Sequence, residues 1–132
     1  MAELTEKARS LVDGPNLAFL ATVCDDGAPQ VSPVWIDRAG DMLQVNTAVG
    51  RVKDRNMRRE PRVAISIASA SEEDPYERVN IRGRVVEIDE SDEANAHVDR
   101  LTRKYTDHDS YPWHKPNERR VVFRIAPEQV GR

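Results

Sequence analysis

The sequence predicts a mainly β domain, about six antiparallel strands curled into a small closed or nearly closed barrel, with one substantial helix and short helical pieces. Three observations lead there. About six stretches carry strand-type composition or period-two alternation. Most successive stretches are joined by tight turns, which pair neighbours antiparallel. Short twisted strands remove their open edges most simply by closing on themselves. At 132 residues the chain corresponds to a single domain, 1–132.

The elements follow in order. Residues 3–12 read as a short amphipathic helix, with Leu4, Ala8, Leu11 and Val12 at helical spacing and Gly14-Pro15 as the stop. The apolar run at 16–23 fits a buried strand. Asp25-Asp26-Gly27 is turn chemistry, and residues 29–37 form the hairpin partner. In that strand Val31, Pro33 and Trp35 share one face, and Ser32, Val34 and Ile36 the other. Pro33 has no N–H to give a ladder, so the strand belongs at an edge or carries a bulge. Residues 41–47 form a third strand, and 50–60 a short helix dense in Arg and Lys, closed by Pro61. Residues 62–69 alternate cleanly. A long strand follows the acidic loop at 71–75. On it Val79 and Ile81 share a face with Gly83, after which the inward set moves to Val86 and Ile88, as a bulge near Gly83 would cause. Ser91 caps a helix with acids in its first turn. A loop at 107–118 leads to the last strand.

Composition excludes several classes. The 20 basic and 23 acidic residues give a net charge of −3, which argues against a nucleic-acid binder or a polybasic membrane anchor. No apolar run approaches the roughly 20 residues that span a bilayer. The N-terminus has no signal-peptide apolar stretch, so a cytoplasmic location is the expectation. One cysteine, Cys24, excludes an intramolecular disulfide and a CxxC motif. The sequence carries no dinucleotide fingerprint, Walker loop or nucleophile elbow. His97, His108 and His114 lack the spacing of a metal site, and as lone histidines they are expected to be solvated.

Two stretches carry chemistry. Residues 51–60 hold Arg51, Lys53, Arg55, Arg58 and Arg59 against Asp54 and Glu60, a local excess of positive charge in an acidic protein. Thr47 ends the preceding strand, Gly50 permits a turn, and the helix start presents free N–H groups. Together these suit an anion such as a phosphate, and a solvated basic helix face fits the same charges. The strand at 30–36 suits the wall of a planar aromatic ligand, and Trp35 fits equally as core packing. Trp113, in a polar loop, is either an anchor or a lid.

The runs LATVCDDGAPQVSPVWID, LQVNTAVGRVKDRNMRREPRVAISI, RVNIRGRVVEI and YPWHKPNERRVVFRIAPEQV together resemble the split β-barrel flavin/deazaflavin oxidoreductases. This is the superfamily of pyridoxamine 5′-phosphate oxidase-like proteins, and the likeness is greatest to its actinobacterial branch that uses coenzyme F420. It spans roughly residues 15–130, with 50–64 the most specific part. The resemblance implies a six-stranded split barrel that forms a homodimer, with cofactor sites at the interface. It implies that Val31, Ser32, Pro33, Val34 and Trp35 line the cofactor ring. Asn46 and Thr47 then approach the ribityl chain and phosphate, and Arg51, Lys53 and Asn56 hold the phosphate. Trp113 would be given by the second subunit. Related flavin oxidases carry an adjacent Arg-Lys pair at this turn; here Val52 splits it, which favours F420 over FMN. Arg55, Arg58 and Arg59 either serve the anionic cofactor tail or face solvent. The implied activity is hydride transfer between F420 and a planar conjugated small molecule. The alternatives are an FMN-dependent oxidase-like enzyme or a non-catalytic binder of F420, flavin or tetrapyrrole. No nucleophile is required. Tyr76, Tyr105 and Tyr111 are candidate proton donors.

Overall fold

Trp35 is the joint on which the architecture turns. The computed structural model describes residues 1–131. Its elements are α1 (Glu6–Asp13), β1 (Ala18–Val23), β2 (Pro29–Val34), β3 (Ile36–Ala39), β4 (Met42–Ala48), α2 (Val52–Arg59), β5 (Arg62–Ala68), β6 (Arg78–Asp89), α3 (Asp92–Tyr105) and β7 (Arg120–Gly131). The strands form one sheet in the order β2-β1-β5-β6-β7-β4-β3, with every pairing antiparallel. The two edge strands, β2 and β3, are consecutive in the chain and separated only by Trp35. Val34 and Ile36 therefore lie within about 7 Å of each other. The sheet must curl until its edges meet at this seam.

The antiparallel barrel expected from the sequence is present, with seven strands in place of six. The difference lies at residues 29–37. That segment leaves the ladder of β1 at Val34 and enters the ladder of β4 at Ile36. A segment that serves two strands on opposite sides of a barrel must turn a corner, and Trp35 is that corner. Pro33 sits on edge strand β2, the place in a sheet where a residue without an N–H is tolerated.

The core fills the inside of the curl. Leu20, Ile36, Leu43, Val45, Ile65, Ile67, Ile81, Phe123 and Ile125 are buried there. Helix α1 adds Leu4, Ala8, Leu11 and Val12. Its N-cap is Thr5, whose hydroxyl accepts from the Ala8 N–H. Asp41 ties the helix to the β3–β4 turn. It accepts from Arg9 Nε at 3.0 Å and from the Leu4 N–H at 3.1 Å. Helix α3 buries Ala94, Val98 and Leu101.

The β6–β7 register shifts between Arg82 and Gly83, at the expected bulge. A Cβ at Gly83 would lie 2.7 Å from the Ala126 carbonyl oxygen and 2.8 Å from Ile125 Cγ2, so the close backbone approach requires glycine. The expectation for Val86 and Ile88 needs correction: both are exposed. A second register shift between Val85 and Glu87 leaves Val86 unpaired, and Val85 is the residue that packs against the core.

Candidate functional site

The seam opens into a cleft of about 310 Å³. Its back is Pro33, Val34 and Trp35, where β2 hands over to β3. Asn46 and Thr47 come from β4, and Arg51 and Lys53 from the turn into α2. Leu17, Val98, Leu101, Tyr111 and Arg120 complete the lining.

One wall is aromatic. Trp35 stacks on Tyr105, with ring centroids 5.4 Å apart and planes 6° from parallel. Tyr111 meets Trp35 edge-on at 6.4 Å and 84°. The Tyr105 hydroxyl donates to the Asn16 carbonyl at 2.7 Å and accepts from the Ile36 N–H at 3.3 Å. Burial pushes its pKa up. Tyr105 is thus committed to the seam's backbone and holds Trp35 in place. Tyr76 is exposed and away from the cleft. Of the three tyrosines, Tyr111 is the one that lines it.

The opposite side is cationic. The basic segment splits into two sets of unlike environment. In the outer set, Arg58 Nε donates to Asp54 Oδ1 at 2.7 Å and Arg58 Nη2 to Glu90 at 3.0 Å. Arg55 donates to the Gly50 carbonyl, and Arg59 to the Val23 carbonyl and Asn56 Oδ1. These arginines are exposed at the surface, where their side chains bond to neighbouring groups, and none of them lines the cleft. In the inner set, Arg51 and Lys53 have no ion pair or side-chain hydrogen bond among the described residues. Lys53 is half-buried, and burial followed by the charges of Arg51 and Arg120 pulls its pKa down. Helix α2 starts at this point with Arg51 as N-cap and no side-chain cap bond. Its first N–H groups therefore have no capping acceptor.

Arg120 closes the cationic side. Its Nη1 pairs with Glu118, its Nε donates to Asn46 Oδ1 at 2.9 Å, and its guanidinium lies 4.9 Å from the Tyr111 ring centroid. Burial works to raise the Glu118 pKa, but the Lys115 N–H, Arg120 and Arg51 together hold it below the usual range. Between these walls, Thr47 is 1% exposed and its Oγ1 has no hydrogen-bond partner. A buried hydroxyl normally finds a partner, and at this place on the cleft a water or a ligand group can supply one. The residues present therefore fit a planar aromatic group carrying an anion.

The structure brings Pro33, Val34, Trp35, Asn46, Thr47, Arg51 and Lys53 together, and leaves four expected site residues elsewhere. Val31, 63% exposed, is on the outer face of β2 beside Phe19, in a separate depression. Ser32 Oγ is buried without a partner but does not line the cleft. Asn56 is buried and its amide donates to Thr22 Oγ1 at 3.0 Å, so it ties α2 to β1. Trp113, 51% exposed, packs edge-on against Tyr111 and His108, one ring outside the cleft. His97, expected in solvent, is fully buried. Sequence reasoning missed Leu17, Val98, Leu101 and Arg120. For Arg120 a signal exists: a strand that starts Arg119-Arg120 must point one arginine inward.

A model of the pyridoxamine 5′-phosphate oxidase family matches residues 4–132. The chain belongs to this family. Solved structures of its fold agree. A protein named F420 reductase is 30% identical, covers 93% of this chain and 94% of its own, and superposes with a TM-score of 0.79. A conserved hypothetical protein from Mycobacterium tuberculosis is 26% identical over 98% of this chain and 82% of its own, with a TM-score of 0.75. General stress protein 26 from Bacillus anthracis, 17% identical over 95% and 89% with a TM-score of 0.68, shares the fold. As a member of this family the chain has a flavin- or F420-type oxidoreductase or binding role. No helix of the described residues is long and apolar enough to cross a membrane.

Proposed function

We propose that this member of the pyridoxamine 5′-phosphate oxidase family binds F420 in the seam cleft. We propose further that it passes hydride between that cofactor and a planar conjugated small molecule. The observation that carries the reading is the inner cationic pair. Arg51 and Lys53 stand unpartnered beside an uncapped helix start and an orphaned Thr47 hydroxyl. Lys53 is half-buried and its charge is disfavoured there, a cost that a bound phosphate group would offset, with Arg51 beside it free to add a second donor. The F420 reductase at 30% identity supports F420, and FMN is the alternative occupant.

The bound cofactor supplies the hydride-carrying ring, and the chain supplies geometry. Trp35, held by Tyr105, gives the ring a flat apolar seat. Arg51, Lys53 and the α2 N-terminus fix the phosphate, which sets where along the cleft the ring lies. Arg120, over Tyr111, favours anionic character near the opposite wall. Tyr111 is the tyrosine on the cleft that can hold a proton for an acceptor. None of this requires a nucleophile.

A second copy of the chain completes the proposal. The outer face of β1, β2 and β5 exposes Phe19, Val31 and Ala64, and Leu17 continues this apolar surface to the cleft. A homodimer packed on this face would lay partner residues along the cleft mouth and shield a stacked acceptor from water. The turnover test uses the full chain with reduced F420 and a panel of quinones and enones. Reoxidation of F420 that depends on both protein and acceptor is the expected result. Tight binding with no protein-dependent reoxidation across the panel would make this a cofactor carrier.

A further inference from the structure

Behind the β4 wall of the cleft runs a partly buried polar chain, centred on a fully buried histidine, that the proposed function leaves unused. His97 of α3 is 0% exposed. Its Nε2 lies 2.7 Å from Asp37 Oδ1, and its Nδ1 lies 3.1 Å from Asn46 Nδ2. Asn46 Nδ2 also donates to the Ala94 carbonyl at 2.9 Å. On its other side, Asn46 Oδ1 accepts from Arg120 Nε, and Arg120 is on the cleft. The chain continues past Asp37. Gln44 Nε2 donates to Asp37 Oδ1 at 3.0 Å, and Arg124 Nε donates to Gln44 Oε1 at 2.9 Å.

These contacts determine one another's protons. A guanidinium is always charged and only donates. Arg120 therefore requires the oxygen of Asn46 toward itself and the NH2 toward α3. One hydrogen of that NH2 goes to the Ala94 carbonyl and the other to His97 Nδ1, which must then be an unprotonated acceptor. The imidazole proton is on Nε2 and is donated to Asp37. Arg124 works the same way from the far end, because it fixes the oxygen of Gln44 toward itself and the NH2 toward Asp37. Two permanent charges thus bracket the chain and leave one consistent assignment of hydrogens.

We infer that His97 is a positioning residue for the cleft. As the neutral Nε2–H tautomer it holds the Asn46 carboxamide, and through it the Arg120 guanidinium, in the orientation that an anionic ligand meets. This rests on the reading of the cleft as an anionic-cofactor site. A role in packing alone would make the acceptor at Nδ1 irrelevant, and that is what the test separates.

The test compares His97→Asn with His97→Gln in the full chain. The asparagine oxygen sits near the Nδ1 position, so His97→Asn keeps an acceptor for Asn46 and gives up Asp37. Asp37 is partly exposed and retains Gln44. The glutamine reaches Asp37 and leaves Asn46 without its acceptor. Titrated with F420 and FMN, His97→Gln is expected to bind about tenfold more weakly than the natural protein, the scale of one buried charge-linked hydrogen bond. His97→Asn is expected to stay within about threefold. Equal losses, or no loss in either, would overturn the inference.

Nuclear magnetic resonance supplies readouts without a cofactor. The His97 ring is expected to show a protonated Nε2 and a bare Nδ1. The Arg120 Nε–H resonance is expected to move in His97→Gln and to stay in His97→Asn. An imidazolium or an Nδ1–H tautomer would overturn the assignment. If neither cofactor binds the natural protein, the functional reading fails, and these resonances still decide whether His97 positions Arg120.

Discussion

Thr47 and Lys53 each lack a partner in the free protein that the proposed cofactor would supply, and this makes them separable by experiment. The Thr47 hydroxyl is buried with no partner. Thr47→Val keeps the shape and deletes the orphan, so the free protein should be unchanged or more stable by up to about 1 kcal/mol. Cofactor affinity should fall in the same variant. Thermal melts and fluorescence titration check the two halves, and equal weakening of both would show that the hydroxyl serves the fold. Lys53 is half-buried beside Arg51 and Arg120, with no anion to offset it. Lys53→Ala should weaken cofactor binding by about 1.5–3 kcal/mol, the range of a charged hydrogen bond, and leave the melting temperature of the free protein unchanged or raised. Unchanged affinity would remove Lys53 from the site. At this scale the sequence showed where cations cluster but not which were free. Arg55, Arg58 and Arg59 look like Arg51 in the sequence. Pairing with Asp54, four residues before Arg58, was open to the sequence, and the fold adds Gly50, Glu90 and Val23 as partners.

Elements were the most legible level, because period and capping are local. The clean alternation of 62–69 became β5 (Arg62–Ala68), with Val63, Ile65 and Ile67 buried. Ser91 caps α3 by accepting from the Glu93 N–H, and its own hydroxyl donates to Asp89 at 2.5 Å. Ser91→Ala should cost about 1 kcal/mol, read as a lowered melting temperature. Asp89 gives a pH test. The Ser91 hydroxyl, the Ser91 N–H and Arg124 hold its pKa at about 2, below the ordinary 3.8. A depressed carboxyl stabilises the fold above its unfolded pKa and loses that contribution as the folded group protonates. Stability should therefore fall as the pH drops from 3.8 toward about 2. Asp89→Asn should flatten that part of the curve, and an unaltered acid limb would assign the loss to other groups. Two features escaped local reasoning. The corner at Trp35 depends on which strands flank the segment, and the outward turn of Val86 depends on a second register shift against β7. Both are set by distant partners.

For the molecule as a whole, the seam explains why the site is where it is. A sheet whose edges meet through a single residue closes imperfectly there, and α2 and α3 border the gap. The barrel was legible from six alternating segments and tight turns. The cleft was legible only in part, because Arg120 and Tyr111 reach it from the far end of the chain. The outer sheet face supplies the prediction that belongs to this scale. If the proposed homodimer packs on this face, Phe19→Asp should shift it from dimer to monomer in sedimentation, since it sets a charge in an apolar interface. A natural protein that sediments as a monomer at all concentrations would contradict that face as the interface.

Everything proposed for the cleft depends on an anionic flavin-type cofactor being held by Arg51 and Lys53. The most direct test is a fluorescence titration of the purified protein with F420 and with FMN, run beside the Arg51→Ala/Lys53→Ala variant. Micromolar or tighter binding of F420, weaker binding of FMN, and marked loss of both in the variant are expected. A natural protein that binds neither, or a variant that binds as well as its parent, would contradict this binding mode.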